Sequence, residues 1–264
     1  MKEKMGKRIV STGRGGTGKT TFTALATRYL AGPLLLIDID PDQSLADMLG
    51  IDLEKEGVRT ILDILYDLQK QEGYEELGTM PLPEKIQYLF NTECIYESKE
   101  FDLISLGVKW TEGCYCAPNN LIRGIIPKLA QNYAYTLIDA PAGLEHLNRN
   151  VTSEVDDMFI VLDPSMKSLK NIVRIQRLAR EVGITYQNFY MVANYRFNDE
   201  LEKRIQSDGG SYLGRMEYDT KVEEFNLDGK SLLELPEDSP AALSVKKILE
   251  KAGYSDLTPG NCPA

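Results

Sequence analysis

The segment Gly13-Arg14-Gly15-Gly16-Thr17-Gly18-Lys19-Thr20-Thr21 satisfies the pattern G-x-x-x-x-G-K-[ST] of a phosphate-binding loop at every fixed position. Residues 8–12, just before it, have the composition of a short strand. After it, apolar residues recur at helical spacing from Lys19 to Leu30. Because this motif binds phosphate when it joins a strand to a helix, the segment predicts a nucleotide site.

Each residue type in the loop has a physical role at such a site. Glycines let backbone N–H groups turn inward around phosphate oxygens, and the helix N-terminus adds the positive end of its dipole. Lys19 is expected to contact the β and γ phosphates, and the Thr20 hydroxyl to bind Mg²⁺. The alternative is a glycine-rich turn with a chance Lys-Thr pair, which the complete motif in its expected context disfavours.

Two buried strands are predicted to end in acidic residues near this loop. Residues 34–40 form an apolar run that closes on Asp38-Ile39-Asp40, as expected for a strand of a parallel sheet. Asp40 would orient a water molecule or a metal near the γ phosphate, unless it serves only as a turn or helix cap. Residues 135–139 form a second such strand, and Asp139 would hold Mg²⁺ through water or through Thr20.

A further strand, residues 189–194, ends at Asn194, whose amide could pair with the edge of a purine base. The residues after Asn194 lack the aspartate that a guanine-specific site would show, which favours adenine. We therefore expect ATP and ADP as the nucleotides. The segment from Thr220 is a weaker candidate for base contacts.

The four cysteines are Cys94, Cys114, Cys116 and Cys262. Cys114 and Cys116 are one residue apart, which places them poorly for an unstrained disulfide with each other. Two thiolates could hold Zn²⁺, Ni²⁺ or Cu⁺, but a closed site usually needs four ligands. A twofold homodimer would supply them, with two sulfurs from each subunit. From the spacing, two buried structural cysteines are equally compatible.

Composition limits the remaining possibilities. The chain has 264 residues and a formal charge of -10, which argues against a nucleic-acid partner. It shows no signal peptide and no apolar run long enough for a membrane span, so we expect a cytoplasmic protein without a membrane partner. Alternation of strands and helices predicts a three-layer α/β/α domain with a mostly parallel sheet over residues 1–254. Residues 255–264 are expected to form a flexible tail.

A predicted helix from Ser165 to Val182 places Lys167, Lys170, Arg174 and Arg177 along one face. Such a row of charges is most commonly a solvated surface. A docking surface for an acidic partner is the alternative.

Together, the phosphate loop, the Asp38–Pro41 strand end and the segment 139–143 resemble the deviant phosphate-loop ATPases. That family includes septum-site and partition ATPases, the arsenite-pump ATPase and the nitrogenase iron protein. Within it, Gly113-Cys114-Tyr115-Cys116, the segments 120–123 and 142–147, and Asp228-Gly229-Lys230-Ser231 resemble the CooC-type nickel-insertion ATPases. These are accessory proteins of carbon monoxide dehydrogenase and acetyl-CoA synthase.

The resemblance implies an ATP-hydrolysing homodimer in which Cys114 and Cys116 of both subunits bind one metal, Ni²⁺ or Zn²⁺. It also implies a nickel enzyme as client, with Asp40 positioning the attacking water and Asp139 in the outer shell of Mg²⁺. Arg14 stands where the family usually has a signature lysine that reaches the partner's active site. Two alternatives stay open: an iron–sulfur redox ATPase, for which Cys94 would be the second contributor, and a nucleotide switch of the septum-site or partition type.

Overall fold

In a computed structural model, the chain folds around one central sheet. The structure describes residues 6–40, 42–70, 74, 77–107, 124–141, 153–207, 211–255 and 257. These residues form an eight-stranded sheet in the order β3-β4-β2-β5-β1-β6-β7-β8. β3 is antiparallel to β4, and the other neighbouring strands are parallel. The predicted α/β class with a mostly parallel sheet is therefore confirmed.

The strands and helices follow one another along the chain in the alternation that the sequence predicts. The strands are β1 (Lys7–Gly13), β2 (Leu34–Asp38), β3 (Ile95–Glu97), β4 (Phe101–Ser105), β5 (Tyr135–Asp139), β6 (Glu154–Leu162), β7 (Thr185–Ala193) and β8 (Ser211–Arg215). The helices are α1 (Lys19–Thr27), α2 (Ser44–Met48), α3 (Ile61–Lys70), α4 (Leu82–Glu93), α5 (Met166–Glu181), α6 (Asp199–Ser207), α7 (Thr220–Asp228) and α8 (Pro240–Lys251), and residues 124–129 are also helical.

The central strands are buried on both faces, which explains their continuous apolar sequences. In β2, Leu34 and Leu36 pack into one hydrophobic cluster, and Leu35 and Ile37 pack into the other. Successive side chains of a strand point to opposite faces, so the sheet separates two cores. Helices cover both of them, and the three layers place the carboxyl ends of the parallel strands along one edge.

A buried polar cluster surrounds Asp157, in the first half of β6. Asp157 is fully buried, and its Oδ2 accepts a hydrogen bond from the Tyr254 hydroxyl at 2.5 Å and pairs with Lys7 Nζ at 2.6 Å. Asn188 Nδ2 donates to Oδ1 of the same carboxylate at 2.7 Å. Because breaking any of these bonds leaves a buried charge short of partners, the cluster ties β1, β7 and the segment after α8 to β6.

Two elements were not predicted from the sequence. β3 is a three-residue edge strand, and residues 220–228 form the helix α7. Asp219 caps α7 by accepting a hydrogen bond from the Lys221 N–H at 3.0 Å. Among the helices of the described ranges, none combines the length and the apolar composition that crossing a bilayer requires.

Candidate functional site

The phosphate loop connects β1 to α1 in a tight backbone path. A Cβ atom on Gly13 would lie 2.4 Å from the Val161 carbonyl oxygen, and Gly18 has a left-handed φ of 95°. Only glycine meets both demands readily. The loop is also closed from within, because the Thr17 hydroxyl donates to the Arg14 carbonyl oxygen at 2.8 Å and Lys19 Nζ donates to the same oxygen at 3.5 Å.

No side chain caps the N-terminus of α1, so its first N–H groups are left to a ligand. A cavity lies at this end of α1, and most of the predicted loop residues line it. Those that line it are Gly15, Gly16, Thr17, Gly18, Lys19, Thr20 and Thr21. Anions bind readily at such a helix end.

Asp139 lies directly beside this loop, as predicted. It ends β5, is fully buried, and accepts hydrogen bonds from the Thr20 hydroxyl at 2.7 Å and the Thr23 hydroxyl at 3.3 Å. Burial raises the pKa of Asp139 to about 6, although Thr20 and the Lys19 charge oppose the rise. A carboxylate whose charge is disfavoured by burial gains most from a nearby cation, and carboxylate and hydroxyl oxygens are ligands that Mg²⁺ prefers. Thr20 and Asp139 therefore fit magnesium.

Asp38 lies beside Asp139, and the sequence analysis predicted no functional role for it. It pairs in register with Asp139 on the neighbouring strand. Its two carboxylate oxygens accept the N–H groups of Asp40 at 3.0 Å and Leu45 at 3.1 Å. Burial, and then the Asp139 charge, raise the pKa of Asp38 to about 7. Asp38 thus shapes the turn that carries Asp40, and Asp40 lines the same cavity as the phosphate loop.

The cavity extends from the phosphate loop to the segment between β8 and α7. Its volume of about 420 Å³ is within the usual range for small-molecule sites. The segment from Met216 to Asp219 and the first residues of α7 line its far side. The sequence analysis treated the segment from Thr220 as the weaker candidate for base contacts. In the structure, Val222 and Glu223 of this segment line the cavity.

Two tyrosines stand at the far end of the cavity. The rings of Tyr195 and Tyr218 have centroids 5.2 Å apart, and both side chains are partly exposed while lining the cavity. Exposed ring faces can stack on a purine base. Asn194, the predicted base contact, is buried, and its Oδ1 accepts the Arg196 N–H at 3.1 Å. Its neighbour Tyr195 is the residue that lines the cavity.

Arg14 is held by residues of its own chain. Its Nη1 lies 3.3 Å from Asp163 Oδ2 and donates to the Ser165 hydroxyl at 3.1 Å. Ser165 caps α5 by accepting a hydrogen bond from the Ser168 N–H, as the sequence predicted. The phosphate loop is therefore connected to the end of β6 and to the first turn of α5.

Cys114, Cys116 and the segment 142–147 lie outside the described residues. In the part of the chain that is described, no group of three or more His, Cys, Asp or Glu side chains could hold a metal ion. Cys94 is buried in the core among apolar side chains, and burial raises the pKa of its thiol to about 12. Such a thiol is a poor cluster ligand, so Cys94 does not suit the role that the iron–sulfur alternative required of it.

The comparisons with known proteins agree with this site. The AAA domain family, AAA_31, matches residues 7–189. The chain belongs to this family. It is 35% identical over 251 residues to the uncharacterized ATP-binding protein MJ0685 of Methanocaldococcus jannaschii, covering 92% of this chain and 97% of that protein. It is 29% identical over 192 residues to the carbon monoxide dehydrogenase accessory protein CooC of Rhodospirillum rubrum, covering 67% and 70% of the two chains. The protein is thus a phosphate-loop ATPase.

Solved structures place the fold of this ATPase beside the septum-site and partition proteins. The MinD cell division protein of Aquifex aeolicus superposes with a TM-score of 0.60 at 24% identity, covering 95% of this chain and 98% of that one. A ParA family ATPase of Chlorobium tepidum gives a TM-score of 0.64 at 20% identity, covering 92% and 98%. At these identities the likeness shows a shared fold, of the MinD and ParA type.

Proposed function

We propose that this ATPase is a nickel-delivery accessory protein, working as a homodimer that couples ATP hydrolysis to metal binding at Cys114 and Cys116. The ATP half of the proposal is supported by one contact above all, the 2.7 Å hydrogen bond from the Thr20 hydroxyl to Asp139. This hydrogen bond joins the phosphate loop to the buried Asp139 carboxylate. ATP hydrolysis requires a metal ion beside the phosphates, and these two residues lie where that ion would bind.

In this proposal Lys19 and the loop N–H groups hold the β and γ phosphates. Thr20 and Asp139 would hold Mg²⁺, which when bound neutralises phosphate charge. Asp40 orients the attacking water, since it lines the cavity and its turn is fixed by Asp38. Asn194, through the turn it shapes, and Tyr195 would contribute to base recognition.

The nickel half is supported by the similarity to CooC together with the Cys114-Tyr115-Cys116 motif. A two-sulfur site in each subunit becomes a four-sulfur site when two subunits meet. Arg14 is the residue proposed to reach the partner subunit, and its release from Asp163 and Ser165 would accompany dimer closure. The proposed client is a nickel enzyme, carbon monoxide dehydrogenase or acetyl-CoA synthase.

The proposal is tested by metal uptake. Purified protein is titrated with Ni²⁺, and bound metal is measured by mass spectrometry of the intact assembly. We expect one ion per two chains, lost in the variant Cys114→Ser/Cys116→Ser and retained in the control Cys262→Ser. Unchanged uptake in the double variant would reject the metal site.

Three further measurements test the phosphate site and separate the alternatives. Brown protein with visible absorption typical of an iron–sulfur cluster would favour the redox ATPase. ATP hydrolysis that survives Lys19→Ala unchanged would reject the assigned phosphate site. Nucleotide-dependent dimerisation without metal uptake would favour a nucleotide switch.

A further inference from the structure

Helix α5 presents a basic surface on an acidic protein. Its sixteen residues include five cations and one carboxylate, whereas the whole chain has a formal charge of -10. The cations are exposed, while the opposite face of the helix is buried through residues such as Ile175 and Ala179. The exposed cations are Lys167, Lys170, Arg174, Arg177 and Arg180.

Within the described part of the chain, most of these charges have no ion-pair partner. Arg177 Nε pairs with Glu181 Oε1 at 2.7 Å, four residues further along the helix. For the other four cations, no carboxylate of the described ranges lies within ion-pair distance. Ion pairing within the described ranges therefore does not account for these four cations, and Lys170 and Arg174, four residues apart on the helix, repel each other.

The same surface is partly apolar. Met166 is 57% exposed and Val173 is 67% exposed. They are seven residues apart, with Lys170 between them and Arg177 beyond, so all four residues follow one stripe of the helix. Exposed apolar side chains among cations match a protein segment with both carboxylates and apolar groups. A nucleic acid presents phosphate to such a surface, and the net charge of the chain opposes its approach.

The surface is also connected to the nucleotide site. Arg14 of the phosphate loop contacts both Asp163 and Ser165, and Ser165 caps α5. The Asp163 carboxylate accepts a hydrogen bond from the Ser165 N–H at 2.9 Å, and the Asp163 N–H donates to the Ser168 hydroxyl at 3.1 Å. Movement of Arg14 when nucleotide binds would therefore alter the first turn of the helix.

We propose that the outer face of α5 binds an acidic, amphipathic segment of a partner protein, and that nucleotide at the phosphate loop changes this affinity through Arg14. Carboxylates of the partner would pair with Lys170 and Arg174, and its apolar side chains would cover Met166 and Val173. The interaction should be strong at low ionic strength and weaken as salt screens the charges.

The test uses a fluorescein-labelled synthetic peptide in which glutamates alternate with leucines, with binding followed by fluorescence anisotropy. We expect Lys170→Glu/Arg174→Glu to weaken binding about tenfold or more. The control Lys128→Glu/Lys203→Glu makes the same change in net charge at exposed sites elsewhere, and should change the affinity by less than about twofold. Thermal melts establish that all variants are folded.

Mg-ATP should change the peptide affinity of the wild-type protein but not that of Arg14→Ala. The proposal is overturned if the wild-type protein does not bind the peptide, or if the two charge-reversal variants behave alike. It is also overturned if a DNA duplex or phosphatidylglycerol vesicles bind more tightly than the peptide with the same dependence on Lys170 and Arg174. If the wild-type protein self-associates without binding the peptide, and Lys170→Glu/Arg174→Glu abolishes self-association, the surface binds a second copy of the chain and the proposal is wrong. An ATP effect that persists in Arg14→Ala would remove the proposed link to nucleotide.

Discussion

Asp139 is held ionised at neutral pH at the expense of fold stability, so Asp139→Asn should stabilise the nucleotide-free protein. Burial raises the pKa of this carboxyl from 3.8 to about 6. One pKa unit corresponds to about 1.4 kcal/mol, so the ionised group lowers the free energy of unfolding by about 3 kcal/mol at pH 8. Because the pKa is raised in the folded state, this loss is absent below about pH 4 and grows until the pH exceeds about 6.

Asparagine can keep the local hydrogen bonds. Its Oδ1 accepts from the Thr23 hydroxyl, and its Nδ2 donates to the Thr20 hydroxyl, which rotates to accept. We therefore expect a gain of about 3 kcal/mol at pH 8 and about half of that at pH 5. In a domain of this size the gain at pH 8 corresponds to roughly 6–12 °C in Tm. The magnesium-dependent part of the stabilisation by ATP should be lost in the same variant.

The assay is urea unfolding followed by circular dichroism, in EDTA and without nucleotide, at pH 8 and pH 5. The matched control is Asp157→Asn, another buried carboxyl at which Lys7 and Tyr254 supply partners. That variant should lose about 2 kcal/mol at pH 8, because hydrogen bonds to a charged group are broken. If Asp139→Asn is less stable than the wild-type protein at pH 8, or gains equally at both pH values, the reasoning about Asp139 is refuted.

Three further substitutions test the nucleotide cavity, the Arg14 contacts and the backbone beside the sheet. Tyr218→Ala should weaken ATP binding about tenfold in calorimetric titrations if the ring stacks on the base, and equal affinity would exclude that contact. Asp163→Asn keeps an acceptor for the Ser165 N–H but loses the charge that holds Arg14. ATP-dependent dimerisation should then occur at up to about fivefold lower protein concentration, as sedimentation would measure. Gly107→Ala should lower the free energy of unfolding by about 2 kcal/mol, since its φ is 85° and a Cβ would lie 2.2 Å from the Thr60 hydroxyl oxygen; an unchanged urea midpoint would contradict this.

Much of the fold follows from local patterns in the sequence. The buried strands are continuous apolar runs, and each one that ends in a polar residue carries that residue to the same sheet edge. This is why Asp139 and Asp40 could be placed beside the phosphate loop before the structure was known. The cap at Ser165 likewise depends on residues within one turn of helix.

Other features depend on contacts that the sequence does not encode locally. Arg14 and Asp163 are 149 residues apart, and their pairing arises only because β1 and β6 are neighbours in the sheet. Only Val222 and Phe225 of α7 pack against the core, and both are partly buried, so the apolar stripe that would predict this short helix is weak. The role of Asp38 was missed although its position at a strand end was visible, because its partners are backbone N–H groups rather than a motif.

The central proposal, that ATP sites and thiolate pairs of two subunits act together, is tested most directly by measuring mass and metal content in one experiment. Native mass spectrometry of the wild-type protein with Ni²⁺, with and without Mg-ATP, gives both quantities. We predict a dimer carrying one nickel ion per two chains, with its population or metal content changed by Mg-ATP. A single subunit under every condition, or one nickel ion per chain regardless of nucleotide, would contradict the proposal.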